Sequence, residues 1–90
     1  MTSTKALGLP TRFLLGEAYR KGAGGVPMAP DRARRYYRMG CDGGDPLGCY
    51  AYAVALDEGV GGEKDRERAK VLMNVLCDAG LPEACRDLKR

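Results

Sequence analysis

Cys41-Asp-Gly-Gly-Asp-Pro-Leu-Gly-Cys49 and Cys77-Asp-Ala-Gly-Leu-Pro-Glu-Ala-Cys85 are the two stretches that decide how this chain is organised. They are copies of one segment, 36 residues apart: Cys41 and Cys77, Asp42 and Asp78, Gly44 and Gly80, Pro46 and Pro82, and Cys49 and Cys85 all fall on that step. Ala33 and Ala69 extend it upstream. So many matched positions at one period in so short a chain mark an internal repeat. Further upstream the register moves by one, because Leu15-Gly16-Glu17-Ala18-Tyr19-Arg20-Lys21-Gly22 matches Tyr52-Ala53-Val54-Ala55-Leu56-Asp57-Glu58-Gly59 at a step of 37. The loop after Gly22 is therefore one residue longer than the loop after Gly59, and surface loops are where insertions are tolerated.

Local signals are helical throughout. Thr11 to Lys21 puts Leu14, Leu15, Ala18 and Tyr19 at helical spacing, with Gly22 as a C-terminal stop. Gly22 to Ala29, glycine-rich with Pro27, reads as a loop. Pro30 suits a first helical turn and Asp31 the positive end of a helix dipole, so a second helix runs to about Asp42. Gly43-Gly44 breaks it, and Pro46 opens a third helix ending near Glu58. Asp65 reads as the cap of a fourth, Arg66 to Asp78, and Leu81-Pro82 opens a short fifth that ends in the basic tail Arg86 to Arg90. Nothing alternates with period two, and there are five valines, three threonines and no isoleucine, which argues against strands. Each unit is thus a helical hairpin that cannot hide its apolar face until the next is stacked on it. The expected fold is all-α: an α/α solenoid of antiparallel helix hairpins with about two and a half repeats. It forms a single domain over residues 1–90, with units at about 8–43 and 44–79 and a partial one at 80–90.

Composition narrows the function classes. A hydrophobic fraction of 44% is ordinary for a folded domain, and a net charge of +3 is too mild to demand an acidic partner. A nucleic-acid binder of this size carries a denser basic stripe with aromatic residues between the charges, so nucleic acid is not an expected partner. No apolar run approaches the ~20 residues of a membrane span. Met1 to Pro10 lacks the apolar core of a signal peptide. There is no histidine to act as a base, no glycine loop in a strand–helix setting, no nucleophile elbow and no Ser-x-x-Lys. No catalytic residue, metal site or cofactor is expected.

A unit of this length suits a tetratricopeptide or a Sel1-like repeat. Leu15-Gly16-x-x-Tyr19-x-x-Gly22, then Gly25-Val26-Pro27, then Ala33-x-x-Tyr36-Tyr37 and a glycine before the next unit resemble the Sel1-like consensus. The second unit keeps the glycines, Asp65 and Ala69, but has Tyr52-Ala53 for Leu-Gly and Leu56 for Tyr. One Cys-x7-Cys step per unit is similar to the cysteine-rich Sel1-like proteins of bacteria and to a related mitochondrial assembly factor. In those proteins the pair bridges the second helix of one unit to the first helix of the next. The resemblance therefore implies the disulfides Cys41–Cys49 and Cys77–Cys85. The first unit departs, with Lys5 and Phe13 at the corresponding positions. Buried free thiols and a structural zinc site are the alternative readings; zinc sites favour CxxC pairs or histidine, and neither is present.

In stacked hairpins the first helices line the concave surface. Leu15, Gly16 and Tyr19, then Gly48, Tyr52, Ala53 and Leu56, are the expected core positions on those helices. The residues between them, Phe13, Glu17 and Arg20 and their counterparts Tyr50, Val54 and Asp57, are the expected partner-binding face. The alternative is that both rings pack beneath a neighbouring helix. Arg32, Arg34, Arg35 and Arg38 read as a solvated convex face rather than a phosphate site. The expected function is a non-catalytic interaction or adaptor module for a protein or peptide. Two alternatives stand beside it: binding or weak hydrolysis of a small molecule of the β-lactam or peptidoglycan type, and service as a toxin-neutralising or assembly partner. The open ends of so short a solenoid invite either capping or a homodimer through those ends. The location is extracytoplasmic (periplasmic or secreted) if the cysteines are bridged and cytoplasmic otherwise.

Overall fold

The computed structural model describes residues 11–88, so the expected outer ends of the first and third units, residues 8–10 and 89–90, lie outside the described residues. The described residues contain five helices and no strand: α1 (Thr11–Lys21), α2 (Pro30–Asp42), α3 (Pro46–Glu58), α4 (Arg66–Asp78) and α5 (Pro82–Leu88). Prolines occupy the first turns of α2 and α3, where the missing N–H leaves no backbone bond unmade. The Asp65 side chain accepts the Arg68 N–H at 3.1 Å and caps α4. Asp45 does the same for α3, accepting the Leu47 N–H at 3.1 Å. That cap was not read from the sequence.

Each helix packs on the next, α1 on α2 through to α5, and α1 also touches α3. The result is an elongated body of 40 × 28 × 19 Å. Its core forms two clusters related by the repeat. Ala33, Tyr37, Tyr52, Leu56 and Ala69 make one; Ala53, Met73, Leu76 and Ala84 make the other, and Leu72 packs against both. Positions one repeat apart share a role: Ala33 and Ala69, Tyr37 and Met73, Gly40 and Leu76, and Gly48 and Ala84 are all buried.

Close approach depends on what is missing from α1. A Cβ on Gly16 would stand 2.5 Å from Cε1 and 2.6 Å from Cδ1 of the Tyr37 ring, so only glycine lets that ring lie under α1. One repeat on, Ala53 replaces Gly16 and the slimmer Met73 replaces Tyr37, and both are buried in one cluster. Two alternatives thus solve the same contact: no side chain against a ring, or a methyl against a thioether. The Tyr37 hydroxyl reaches past Gly16 to donate to Glu17 Oε2 at 2.8 Å. Burial, then the hydrogen bond to Glu17 and that carboxylate's charge, push the Tyr37 phenol up to about 12.

One expected core residue is not in the core. Leu15 is 38% exposed, whereas its counterpart Tyr52 is 8% exposed. Tyr52 lies against α2 of the preceding hairpin. Among the described residues no hairpin precedes α1.

The cysteines pair as the resemblance implies. Cys41–Cys49 and Cys77–Cys85 are bonded, with Cα atoms 4.2 and 4.7 Å apart. Each bond ties the end of one hairpin to the first turn of the next. The approach behind the first is visible at Gly48, where a Cβ would lie 3.1 Å from the Cys41 nitrogen and 3.2 Å from the Gly40 carbonyl carbon.

Three outcomes follow from this packing. Gly16→Ala lowers the unfolding free energy by about 1–3 kcal/mol in urea titration, and adding Tyr37→Met, which copies the Ala53–Met73 arrangement, recovers most of the loss. A loss unaffected by Tyr37→Met contradicts the contact described. Phenolate absorbance shows a titration step near pH 12 that belongs to Tyr37, and Tyr37→Phe removes it. Because the folded phenol is raised, its stabilisation is complete below the ordinary tyrosine range and is lost as pH climbs through 12. Finally, alkylation without reductant leaves the intact mass unchanged, and opening one bridge by Cys→Ser costs about 2–3 kcal/mol by loop-closure arithmetic.

Candidate interaction surface

The expected partner-binding residues sit on α1 and α3, but the structure gives them different surroundings. Phe13 is half-buried, its ring centroid 6.0 Å from that of Tyr37 and tilted by 34°. Glu17 is occupied on both oxygens: it accepts from the Tyr37 hydroxyl at 2.8 Å and from Arg20 Nη2 at 2.7 Å, with Lys21 Nζ 3.7 Å away. Burial is the largest single influence on its carboxyl and acts upward. The hydrogen bonds from Arg20 and Tyr37, helped by the charges of Arg20 and Lys21, outweigh it and hold the carboxyl below the usual value. Glu17 in turn raises the already high value of Arg20 through their hydrogen bond. Arg20 is exposed, so the ion pair itself contributes at most about 1 kcal/mol.

Tyr50 is half-buried against the second core cluster, and its hydroxyl donates to Asp87 Oδ2 at 2.7 Å, linking α3 to α5. Val54 and Asp57 of the six line a cavity. It is a groove of about 620 Å³ between three helices. Val54, Asp57 and Glu58 of α3 form one wall, Arg66, Ala69, Lys70 and Met73 of α4 the other, and Asp87 and Leu88 of α5 close one end. Asp57 lies 3.9 Å from Arg66 Nε across the rim. Of the six, Val54 and Asp57 line this groove, while Phe13, Glu17, Arg20 and Tyr50 are not among its lining residues.

The α4 wall was missed from the sequence because the repeat assigns second helices to the core and the convex side. On the convex side the four arginines are also divided. Arg34 donates to Val60 O at 3.2 Å and Glu63 O at 2.8 Å, tying the loop of the second unit to α2. Arg32 lies 5.7 Å over the Tyr19 ring, which itself stacks on Tyr36 at 5.5 Å. With two of its members so occupied, the cluster does not form a phosphate fork.

Chemically the groove offers an apolar floor of Val54, Ala69, Met73 and Leu88 beneath a rim carrying both signs of charge. It has no hydroxyl or thiol among its lining residues. Among the described residues no cluster of His, Cys, Asp or Glu could hold a metal ion, and no helix is long and apolar enough to cross a membrane. A surface of this kind binds by packing and complementary charge.

Comparison with known proteins agrees with this geometry. The Sel1 repeat family matches twice in tandem, over residues 11–45 and 46–81. Among solved structures, a Sel1 repeat protein from Oxalobacter formigenes superposes with a TM-score of 0.82 at 28% identity, over 91% of this chain and 62% of that one. This chain thus spans 62% of that protein's length. No curated protein matches it in sequence. Sel1 repeats are in general protein–protein interaction modules and typically non-catalytic. Two tandem matches, each covering one of the hairpins described above, place this chain in the Sel1 repeat family, with the bonded corners of its cysteine-rich members.

Proposed function

We propose that this chain is a non-catalytic adaptor that holds a protein or peptide segment along its first helices, with the grip centred on Val54 and Asp57. The observation that carries this is the groove between α3, α4 and α5, whose volume falls in the ordinary range for binding clefts. Its apolar floor suits one or two aliphatic or aromatic side chains, and its mixed rim suits a segment with charges of both signs. The bonded corners hold the hairpins in place before binding, so little ordering cost falls on this side of the complex. Those bonds are compatible with an oxidising compartment outside the cytoplasm, where we place the protein's action. A hydrolytic role against β-lactams finds no hydroxyl or thiol acyl acceptor in the groove.

A photo-crosslinking residue tests the reading. Placed at Val54, it gives one discrete adduct in extract of the native cells; placed at the exposed convex Arg35, it gives none. Val54→Glu lowers capture about ten-fold or more, measured where circular dichroism shows the helices intact. Equal labelling from both positions, or capture indifferent to Val54→Glu, defeats the proposal.

A further inference from the structure

Matching places carry opposite chemistry in the two hairpins. In the first, Glu17 of α1 accepts from Arg20 Nη2 at 2.7 Å and from the Tyr37 hydroxyl at 2.8 Å, with Lys21 Nζ at 3.7 Å. At the 37-residue step Glu17 becomes Val54, Arg20 becomes Asp57 and Lys21 becomes Glu58; at the 36-residue step Tyr37 becomes Met73. The central pair has turned apolar, and both flanking cations have become carboxylates. The first set answers its charges within the chain. The second has an aliphatic side chain where the answering group stood.

The charges beside Val54 are sorted by wall. On the α3 wall Glu58 follows Val54 by one helical turn, with Asp57 next to it; on the α4 wall Lys70 follows Arg66 by one turn. One wall therefore carries carboxylates and the other carries cations. Asp57 meets Arg66 Nε at 3.9 Å, and with those side chains 49% and 70% exposed the pair is weakly held. Glu58 and Lys70 are exposed and take part in no ion pair among the described residues. Val54 itself is half-buried, packed on the cluster that holds Met73, and offers its outer methyl surface between them. An occupant charged with one sign throughout would meet a like-charged wall on one side.

We propose that the groove selects a polypeptide segment in which one aliphatic or aromatic residue has a basic residue on one edge and an acidic residue on the other. The apolar residue packs on Val54. The basic one supplies Glu58 with the counter-charge that Glu17 gives Lys21 at the matching place, its aliphatic stem lying along the valine. The acidic one pairs with Lys70 across the groove. Because the two pairs stand on opposite walls, they fix which way round the segment lies. Both are exposed, so they sort partners more than they hold them, and the apolar contact carries the affinity. This rests on the adaptor reading and deepens it by naming the chemistry of the segment held.

A random peptide library displayed on phage tests it on the full, disulfide-bonded chain, with binders that also hold Val54→Glu discarded. The recovered peptides share an apolar residue with a basic and an acidic neighbour. Fluorescence anisotropy of one labelled consensus peptide then assigns the walls. Glu58→Gln, or Gln in place of the peptide's basic residue, each weakens binding about three- to five-fold, and the two together weaken it no further. Lys70→Gln behaves likewise with the peptide's acidic residue, whereas crossed combinations multiply. Val54-dependent peptides of one charge sign or none, or losses that multiply within each assigned pair, overturn this inference and leave the adaptor reading standing. So does a chain that light scattering shows to pair with itself until Val54→Glu restores one copy. A library that yields no Val54-dependent peptide overturns both.

Discussion

Helices can lie against each other's backbone only where a side chain is absent or small, and this structure rests on that condition being met at regular intervals. Gly16 admits the Tyr37 ring, and Gly48 brings α3 down onto Gly40 and the Cys41 nitrogen. The second approach is also what makes a covalent corner feasible, since a disulfide tolerates only a narrow range of Cα separations. The bonds at Cys41–Cys49 and Cys77–Cys85 therefore lock a contact that small residues had already made close. In a chain whose core consists of two modest clusters, such locks supply a substantial share of the stability.

Because one interface is used again, a side chain's fate depends on whether a neighbouring hairpin is there to receive it. Tyr52 and Leu15 hold the same place in successive units; one is buried and the other is not. Arg34 is spent on loop carbonyls, whereas Lys70 at the matching place borders a groove.

The concave residues show how a regular pattern is divided by local partners. Tyr37 reaches across the interface and takes Glu17, which in turn takes Arg20, and Tyr50 takes Asp87. These bonds engage three residues of the first helices, Glu17, Arg20 and Tyr50, with partners in the same chain. The groove beside them is lined by Val54, Ala69, Met73 and Leu88 together with charges of both signs.

The periodicity was legible without coordinates. The step between Cys41 and Cys77, the prolines at positions 30, 46 and 82, the Asp65 cap and the glycine stops together set the helices, their order and their hairpin arrangement, because each acts through the local backbone. The resemblance to cysteine-rich Sel1-like proteins supplied the cysteine pairing. Other features needed the folded chain: the exposure of Leu15, the occupation of Glu17 and Tyr50, the second role of Arg34, and the α4 wall of the groove. Each depends on which distant residue stands opposite, and a repeat read along one dimension gives every unit the same neighbours. Only the stacked structure shows which units lack them.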